Sequence, residues 1–212
     1  MGCAASLLPP AWPWAVAGLW RRVVAVGTHS SRRTGGVTLV ELLLVLVVAG
    51  ILLGLAAPSL SAAVDSARLT ALTNDMLAEL LLARSEAVRR GHPVVLCKAS
   101  TDSVCARSGR WDQGWLMFKD FNHNAEREAN EPVLRQRAGA PPGWRIVGNR
   151  PVARYVAYHP LGGTQLSSGA FQAGTLTICR QAGSVLQARQ IVINSSGRPR
   201  VQPAPRLPAA CV

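Results

Sequence analysis

The stretch Arg32-Arg33-Thr34-Gly35-Gly36-Val37-Thr38-Leu39-Val40-Glu41, continued by the apolar run from Leu42 to Leu60, decides how this chain reads. Val37 to Leu60 is 24 residues, and at about 1.5 Å rise per residue a helix of that length exceeds the ~30 Å hydrocarbon core of a bilayer. The segment can span a membrane. Its only charge, Glu41, sits near the start of the run, where an unpaired carboxylate costs up to roughly 2.5–3.5 kcal/mol at bilayer depth. Such a residue calls for a partner, and an opposite charge on another chain would compensate it and set an axial register.

The 212 residues suit one principal domain plus attachments. The net charge of +12 is unevenly placed. Arg21, Arg22, Arg32 and Arg33 precede Val37, and from there the chain carries 19 basic and 11 acidic residues, or +8. After Glu131 there is no acid, yet ten arginines follow: Arg135, Arg137, Arg145, Arg150, Arg154, Arg180, Arg189, Arg198, Arg200 and Arg206. That asymmetry suggests a polyanion partner or an anionic surface.

Past the apolar run the helix is predicted to continue. Leu69, Leu72, Met76, Leu80, Ala83 and Ala87 recur at three or four residues, with Asp75, Glu79, Arg84 and Glu86 among the polar positions. Arg89 and Arg90 suit a last turn and Gly91 a cap, while Pro58 predicts a bend between the apolar and amphipathic halves. From Pro93 the period changes. Short β-prone runs occur at Val94–Lys98, Trp115–Lys119, Pro132–Arg137, Trp144–Val147, Arg154–Tyr158, Thr175–Arg180 and Arg189–Asn194, separated by Gly, Pro, Asn and Ser. They suffice for a small antiparallel sheet or two covering the helix stripe, an α+β fold.

A basic leader, a Gly, a small apolar residue and then Thr-Leu-Val-Glu before a long apolar helix resembles the class III signal of type IV pilins and type II secretion pseudopilins. The resemblance implies that prepilin peptidase cuts on the cytoplasmic side between Gly36 and Val37 and that the new amine of Val37 is methylated. Val37 departs from the family's usual Phe. Glu41 becomes the fifth residue of the mature chain, where the resemblance implies an assembly contact with the terminal ammonium of a neighbouring subunit. The plain alternative is an ordinary membrane anchor with a tolerated interfacial Glu.

The leader is long for this class. Met1 to Trp20 is apolar but broken by Pro9, Pro10 and Pro13, and no basic residue precedes it as a secretory signal requires. Met1-Gly2-Cys3-Ala4-Ala5-Ser6 matches a myristoylation pattern, which the bacterial signal argues against. A twin-arginine export signal at Ser31-Arg32-Arg33 lacks the Phe-Leu-Lys continuation. A true start downstream, at Val23, Val24 or Val26, would account for the length.

Cleavage removes Cys3 and leaves Cys97, Cys105, Cys179 and Cys211, an even number for an oxidising periplasm. Four cysteines allow three connectivities. Cys97 and Cys105 bracket a short turn-rich segment and Cys179 can tie down the Pro-rich tail at Cys211, so these two pairs are favoured over a metal site, for which CxxC spacing and His pairs are missing.

The likeness extends beyond the signal. Val-Leu-Cys-Lys-x-Ser at Val95–Ser100, Cys105, Trp111-x-x-Gly-Trp at Trp111–Trp115, Phe118-x-Asp120, Leu161-Gly162-Gly163-Thr164 and the late Cys179 are similar to the FimT/GspH pseudopilins, in the expected order. The implied organisation is a leader over 1–36, a transmembrane and filament-core helix over 37–60, its amphipathic continuation over 61–91, and a periplasmic β-rich domain over 92–212 with a basic C-terminal part.

Two constellations invite a ligand. Asp120, Asn122, Asn124, Glu126, Glu128 and Glu131 fall at positions 1, 3, 5, 7, 9 and 12 of a calcium-loop pattern, but Ala125 replaces the Gly of its sharp turn and no second helix follows. A solvated polar hairpin loop is the favoured reading. Ser195-Ser196-Gly197-Arg198-Pro199-Arg200 is the other: Gly197 permits a tight turn, the chain around Pro199 should be extended, and Arg198 and Arg200 would then project together as two guanidiniums suited to phosphate oxygens. This Gly-Arg-x-Arg resembles the DNA-binding motif of FimT-type minor pilins in naturally competent bacteria, which implies non-specific DNA capture through Gly197, Arg198 and Arg200, with Arg180 and Arg189 as further candidates. A solvated basic turn is the bland alternative.

His29, His92, His123 and His159 lack a nucleophile setting, so an enzyme is not expected, nor a cofactor or metal. Trp111, Trp115 and Trp144 read as core rather than as stacking platforms. The expected protein is a minor type IV pilin that joins other pilins through prepilin peptidase and the inner-membrane assembly platform and binds DNA for uptake in natural transformation. The alternative is a purely structural pseudopilin of a type II secretion pseudopilus, or a pilus-initiating minor pilin without DNA binding.

Overall fold

The computed structural model describes residues 36–99, 103–180, 188–205 and 211, with the side chains of 55–58 left aside. The leader reading, including Arg32, Arg33 and the alternative starts, lies outside the described residues apart from Gly36, as does Arg206. The chain divides into two compact units, Met1–Gly50 and Ile51–Val212.

Helix α1 runs from Leu39 to Arg90. Thr38 caps it: the Thr38 hydroxyl accepts from the Glu41 backbone N–H at 3.3 Å and the Thr38 carbonyl accepts from the Leu42 N–H. Thr-Leu-Val-Glu therefore has the spacing of a capping box, and Glu41 places its negative charge in the first turn, where the helix dipole favours it. In the first unit the large apolar side chains, from Val37 through Val48, are exposed. Such a surface requires lipid or other chains around it. Among the described residues α1 is the one helix long and apolar enough to cross a membrane. It passes Pro58 without ending as an element.

Among the described residues the second unit carries the remainder of α1 and eight strands in two antiparallel sheets. β1 (Val94–Lys98), β2 (Gly114–Lys119), β3 (Val133–Ala138) and β5 (Tyr155–Tyr158) form the first, in the order β3-β2-β1-β5. β4 (Trp144–Gly148), β6 (Gly174–Arg180), β7 (Ala188–Ile193) and β8 (Pro199–Pro203) form the second, in the order β4-β6-β7-β8. β8, which the sequence marks only as an extended stretch around Pro199, is an edge strand, the position where prolines cost a sheet least.

The predicted stripe forms one core with both sheets. Leu69, Met76, Leu80, Ala83 and Ala87 of α1 pack with Leu96, Trp115, Met117 and Val156 of the first sheet and with Ile146, Leu176, Ile178 and Ile191 of the second. Leu72 is only partly buried. Trp111, Trp115 and Trp144 are core residues, and the Trp111 indole donates to the Val152 carbonyl. The stripe corrects one expectation: Glu79, read as an outward polar position, is 2% exposed. Its Oε1 accepts from Arg137 Nε at 2.8 Å and forms an ion pair with Arg135 Nε at 2.9 Å, which ties edge strand β3 to the helix. Gly91 ends α1 at φ +63°, a conformation that glycine adopts without strain, and Arg89 and Arg90 both pair with Glu86.

A second cluster lies on the other face of the first sheet: Val95, Cys97, Leu116, Phe118 and Ala125. Ala125 belongs to the acidic loop between the antiparallel neighbours β2 and β3, so this hairpin loop packs Ala125 against the sheet while residues 121–124 and 128–130 are exposed. Asp120 and Glu131 are buried. Asp120 accepts from the backbone N–H groups of His123 and Ala125, and Glu131 from those of Phe121 and Glu128. Glu126 holds Arg107 and Arg154. β1 is buried on both faces, Val94 and Leu96 in the helix-side core and Val95 and Cys97 in this second cluster.

Two disulfides close the unit, Cys97–Cys105 and Cys179–Cys211. The second fixes the end of the tail to β6, and Cys211 is fully buried.

Candidate phosphate-binding groove

β7 and β8 form a hairpin in which Ile193 pairs with Pro199 and Val192 with Arg200. Its connection is shaped by Asn194, whose side-chain oxygen accepts from the Ser196 hydroxyl at 2.8 Å and from the Arg198 backbone N–H at 3.0 Å. Gly197 completes the turn at φ +73°, and its N–H donates to the Asn194 carbonyl. A Cβ at Gly197 would collide with the Gly162 carbonyl oxygen, so glycine is required there for both conformation and space.

The partner of this turn is Leu161-Gly162-Gly163-Thr164. The Thr164 N–H donates to the Ser195 carbonyl, and the Thr164 hydroxyl, which donates to the Gln172 carbonyl at 2.5 Å, lies 3.1 Å from the Asn194 carbonyl. The sequence motif around the paired glycines is therefore the seat on which the Gly-Arg-Pro-Arg turn rests. Spacing along the chain could not reveal that link.

Arg198 and Arg200 are exposed on either side of Pro199 and open onto one groove of about 1000 Å³. Arg84 of α1, His159, Leu161, Ser195 and Ser196 also line it, and among the described residues none that lines it is acidic. Arg84 was missed as a site residue, because on the helix it reads as one more polar-face position. The signal available in sequence was the lack of an acid three or four residues away from it.

Arg180 and Arg189 do not join this groove. Arg180, at the end of β6, forms an ion pair with Asp65 of α1. Arg189 lines a separate groove of about 450 Å³ with Ser66, Leu69, Val201 and Gln202. No Phe, Tyr or Trp lines the Arg198 groove. Its polar groups are guanidiniums, hydroxyls, the Asn194 amide and the His159 imidazole, a set that suits phosphate oxygens. Among the described residues no group of His, Cys, Asp and Glu side chains is arranged to hold a metal ion.

Comparison with known proteins gives a consistent picture. The family model "Type II transport protein GspH" matches residues 72–197, and the "Prokaryotic N-terminal methylation motif" matches residues 31–57. The first match closes at Gly197, so Arg198 and Arg200 lie just beyond it. No curated protein matches the chain. Two crystal structures of the Pseudomonas aeruginosa (strain PAO1) type IV minor pilin FimU, in space groups P21 and P65, are each 19% identical to it. They cover 70% and 68% of this chain and 98% and 100% of their own, with TM-scores of 0.48 and 0.47. With 72–197 exceeding half of the 212 residues and the methylation motif in front of it, the chain belongs to the GspH family and is a pilin-like subunit of the GspH/FimT type.

Proposed function

We propose that this GspH-family subunit is a minor pilin that binds DNA through its phosphate backbone, without sequence preference, for uptake in natural transformation. The observation that carries the reading is the acid-free groove in which Arg198 and Arg200 stand together with Arg84. Phosphate contacts position a protein on nucleic acid but carry no base information, so guanidiniums gathered in one groove give binding without sequence preference.

Within the same reading, the leader over 1–36 is removed between Gly36 and Val37, Val37 is methylated, and residues 37–60 hold the subunit in the inner membrane with 92–212 in the periplasm. Residues 61–91 continue the helix into that domain. Glu41 meets the terminal ammonium of a neighbouring pilin after the assembly machinery has extracted the subunit. A carboxylate in an apolar layer gains most when its counter-ion arrives with the neighbour.

The test is fluorescence anisotropy of a labelled duplex with the full-length protein in detergent. Replacing both Arg198 and Arg200 by Ala should abolish most of the binding at 0.1 M salt and reduce transformation. Undiminished binding by that variant would remove the reading. A purely structural pseudopilin is the second reading, favoured by the type II transport model that stops at Gly197; it requires that the unaltered protein bind no DNA.

A further inference from the structure

The groove has a third guanidinium, from α1. Arg84 is half-buried, its Nε donates to the Gly162 carbonyl at 2.8 Å, and it lines the groove with Arg198 and Arg200. Its helical neighbours are Leu80, Leu81, Ala87 and Val88. The acids of this part of the helix are engaged elsewhere, Glu79 with Arg135 and Arg137 and Glu86 with Arg89 and Arg90. Arg84 forms no ion pair among the described residues. Its Nε bond rests on the same Gly162 oxygen that leaves no room for a side chain at Gly197, so one carbonyl holds the helix arginine and the hairpin turn in fixed relation.

A guanidinium that spends its Nε–H on a carbonyl keeps the donors of its two terminal nitrogens. Three cations facing one groove without a carboxylate repel each other, and an oxyanion between them relieves that repulsion. We propose that Arg84 is a direct phosphate contact, so that the ligand is a run of phosphodiesters gripped from the helix on one side and the β7–β8 hairpin on the other. This rests on the DNA-binding reading and narrows it.

The experiment measures affinity for a labelled duplex against salt concentration, with full-length protein in detergent. Arg84→Gln keeps a donor for the Gly162 carbonyl and removes the charge; Arg84→Lys keeps the charge. Each phosphate contact adds about 0.9 to the slope of log K against log salt. Arg84→Gln should therefore bind roughly eight-fold more weakly at 0.1 M monovalent salt, with a slope shallower by about 0.9, and Arg84→Lys should restore the slope. A residue that only positions the loop would weaken binding without changing the slope, and that result overturns the inference. So does wild-type affinity and slope in Arg84→Gln while Arg198→Ala/Arg200→Ala loses binding, an outcome that leaves the DNA reading intact. Absence of duplex binding by the unaltered protein removes both. Should Arg84→Gln fail to fold, arginine-specific modification of the unaltered protein decides: bound duplex should protect Arg84 from phenylglyoxal, and unprotected Arg84 overturns the proposal.

Discussion

Glu79 and Gly197 carry more of the architecture than their residue types announce. Glu79 is a 2% exposed carboxylate whose Oε1 serves two arginines that are each 44% exposed. Either arginine alone can hold the charge, so Arg135→Ala or Arg137→Ala should cost less than about 1 kcal/mol. Removing both leaves a buried, uncompensated carboxylate and should cost roughly 3 kcal/mol. Urea unfolding of the two single variants and the double variant measures this non-additivity. The amphipathic pattern placed Glu79 on the outer face because spacing reports a helix's own periodicity and not which strand will lie across it. At Gly197 an Ala meets both a left-handed backbone and a colliding carbonyl, and should destabilise by about 2 kcal/mol or more while lowering DNA affinity. Gly91 is the control. Its φ is +63° but the space around it is open, so Gly91→Ala should cost about 1 kcal/mol and leave binding unchanged.

At the level of elements, the seven strands legible in sequence agree with the structure to within a residue at each end. They are β-prone runs separated by Gly, Pro, Asn and Ser, and those boundaries are local chemistry. β8 was not legible as a strand, since two prolines and an arginine in five residues give little strand signal. Pairing with β7 imposes its conformation. The same pairing aligns Arg200 with Val192 and so delivers half of the candidate site. The C-terminal tail depends on Cys179–Cys211, which spans 32 residues, against 8 for Cys97–Cys105. By loop-closure entropy the first should contribute roughly 4 kcal/mol and the second roughly 2.5 kcal/mol. Paired Cys→Ser variants should show that order in denaturant midpoints. The acidic loop adds a pH dependence. Arg107, with Arg154, holds the Glu126 carboxyl below its ordinary value of 4.5, and Arg89, with Arg90, does the same for Glu86. A depressed carboxyl stabilises the fold above its unfolded pKa and loses that contribution as pH falls through the folded value. Stability should therefore decline below about pH 4.5, less steeply in Glu126→Gln, and both exposed clusters should matter less at high salt.

Across the whole molecule, the acid-free segment after Glu131 suggested a broad cationic face, and folding changes that arithmetic. Arg135 and Arg137 return to Glu79, Arg154 to Glu126 and Arg180 to Asp65, so four of the ten arginines meet acids from earlier in the chain. The asymmetry along the sequence is therefore partly offset in the fold. What remains concentrated is the trio of Arg84, Arg198 and Arg200 in one groove. Salt dependence separates a groove from a diffuse surface, because each neutralised phosphate contributes about −0.9 to the slope of log K against log salt. Three contacts give a slope of about −2.7, whereas all nine described arginines beyond Glu131 acting together would give about −8. A measured slope near −3 that falls toward −1 in Arg198→Ala/Arg200→Ala locates the affinity in the groove. A steep slope that survives this substitution assigns it to the net charge of the chain and leaves the hairpin a structural turn.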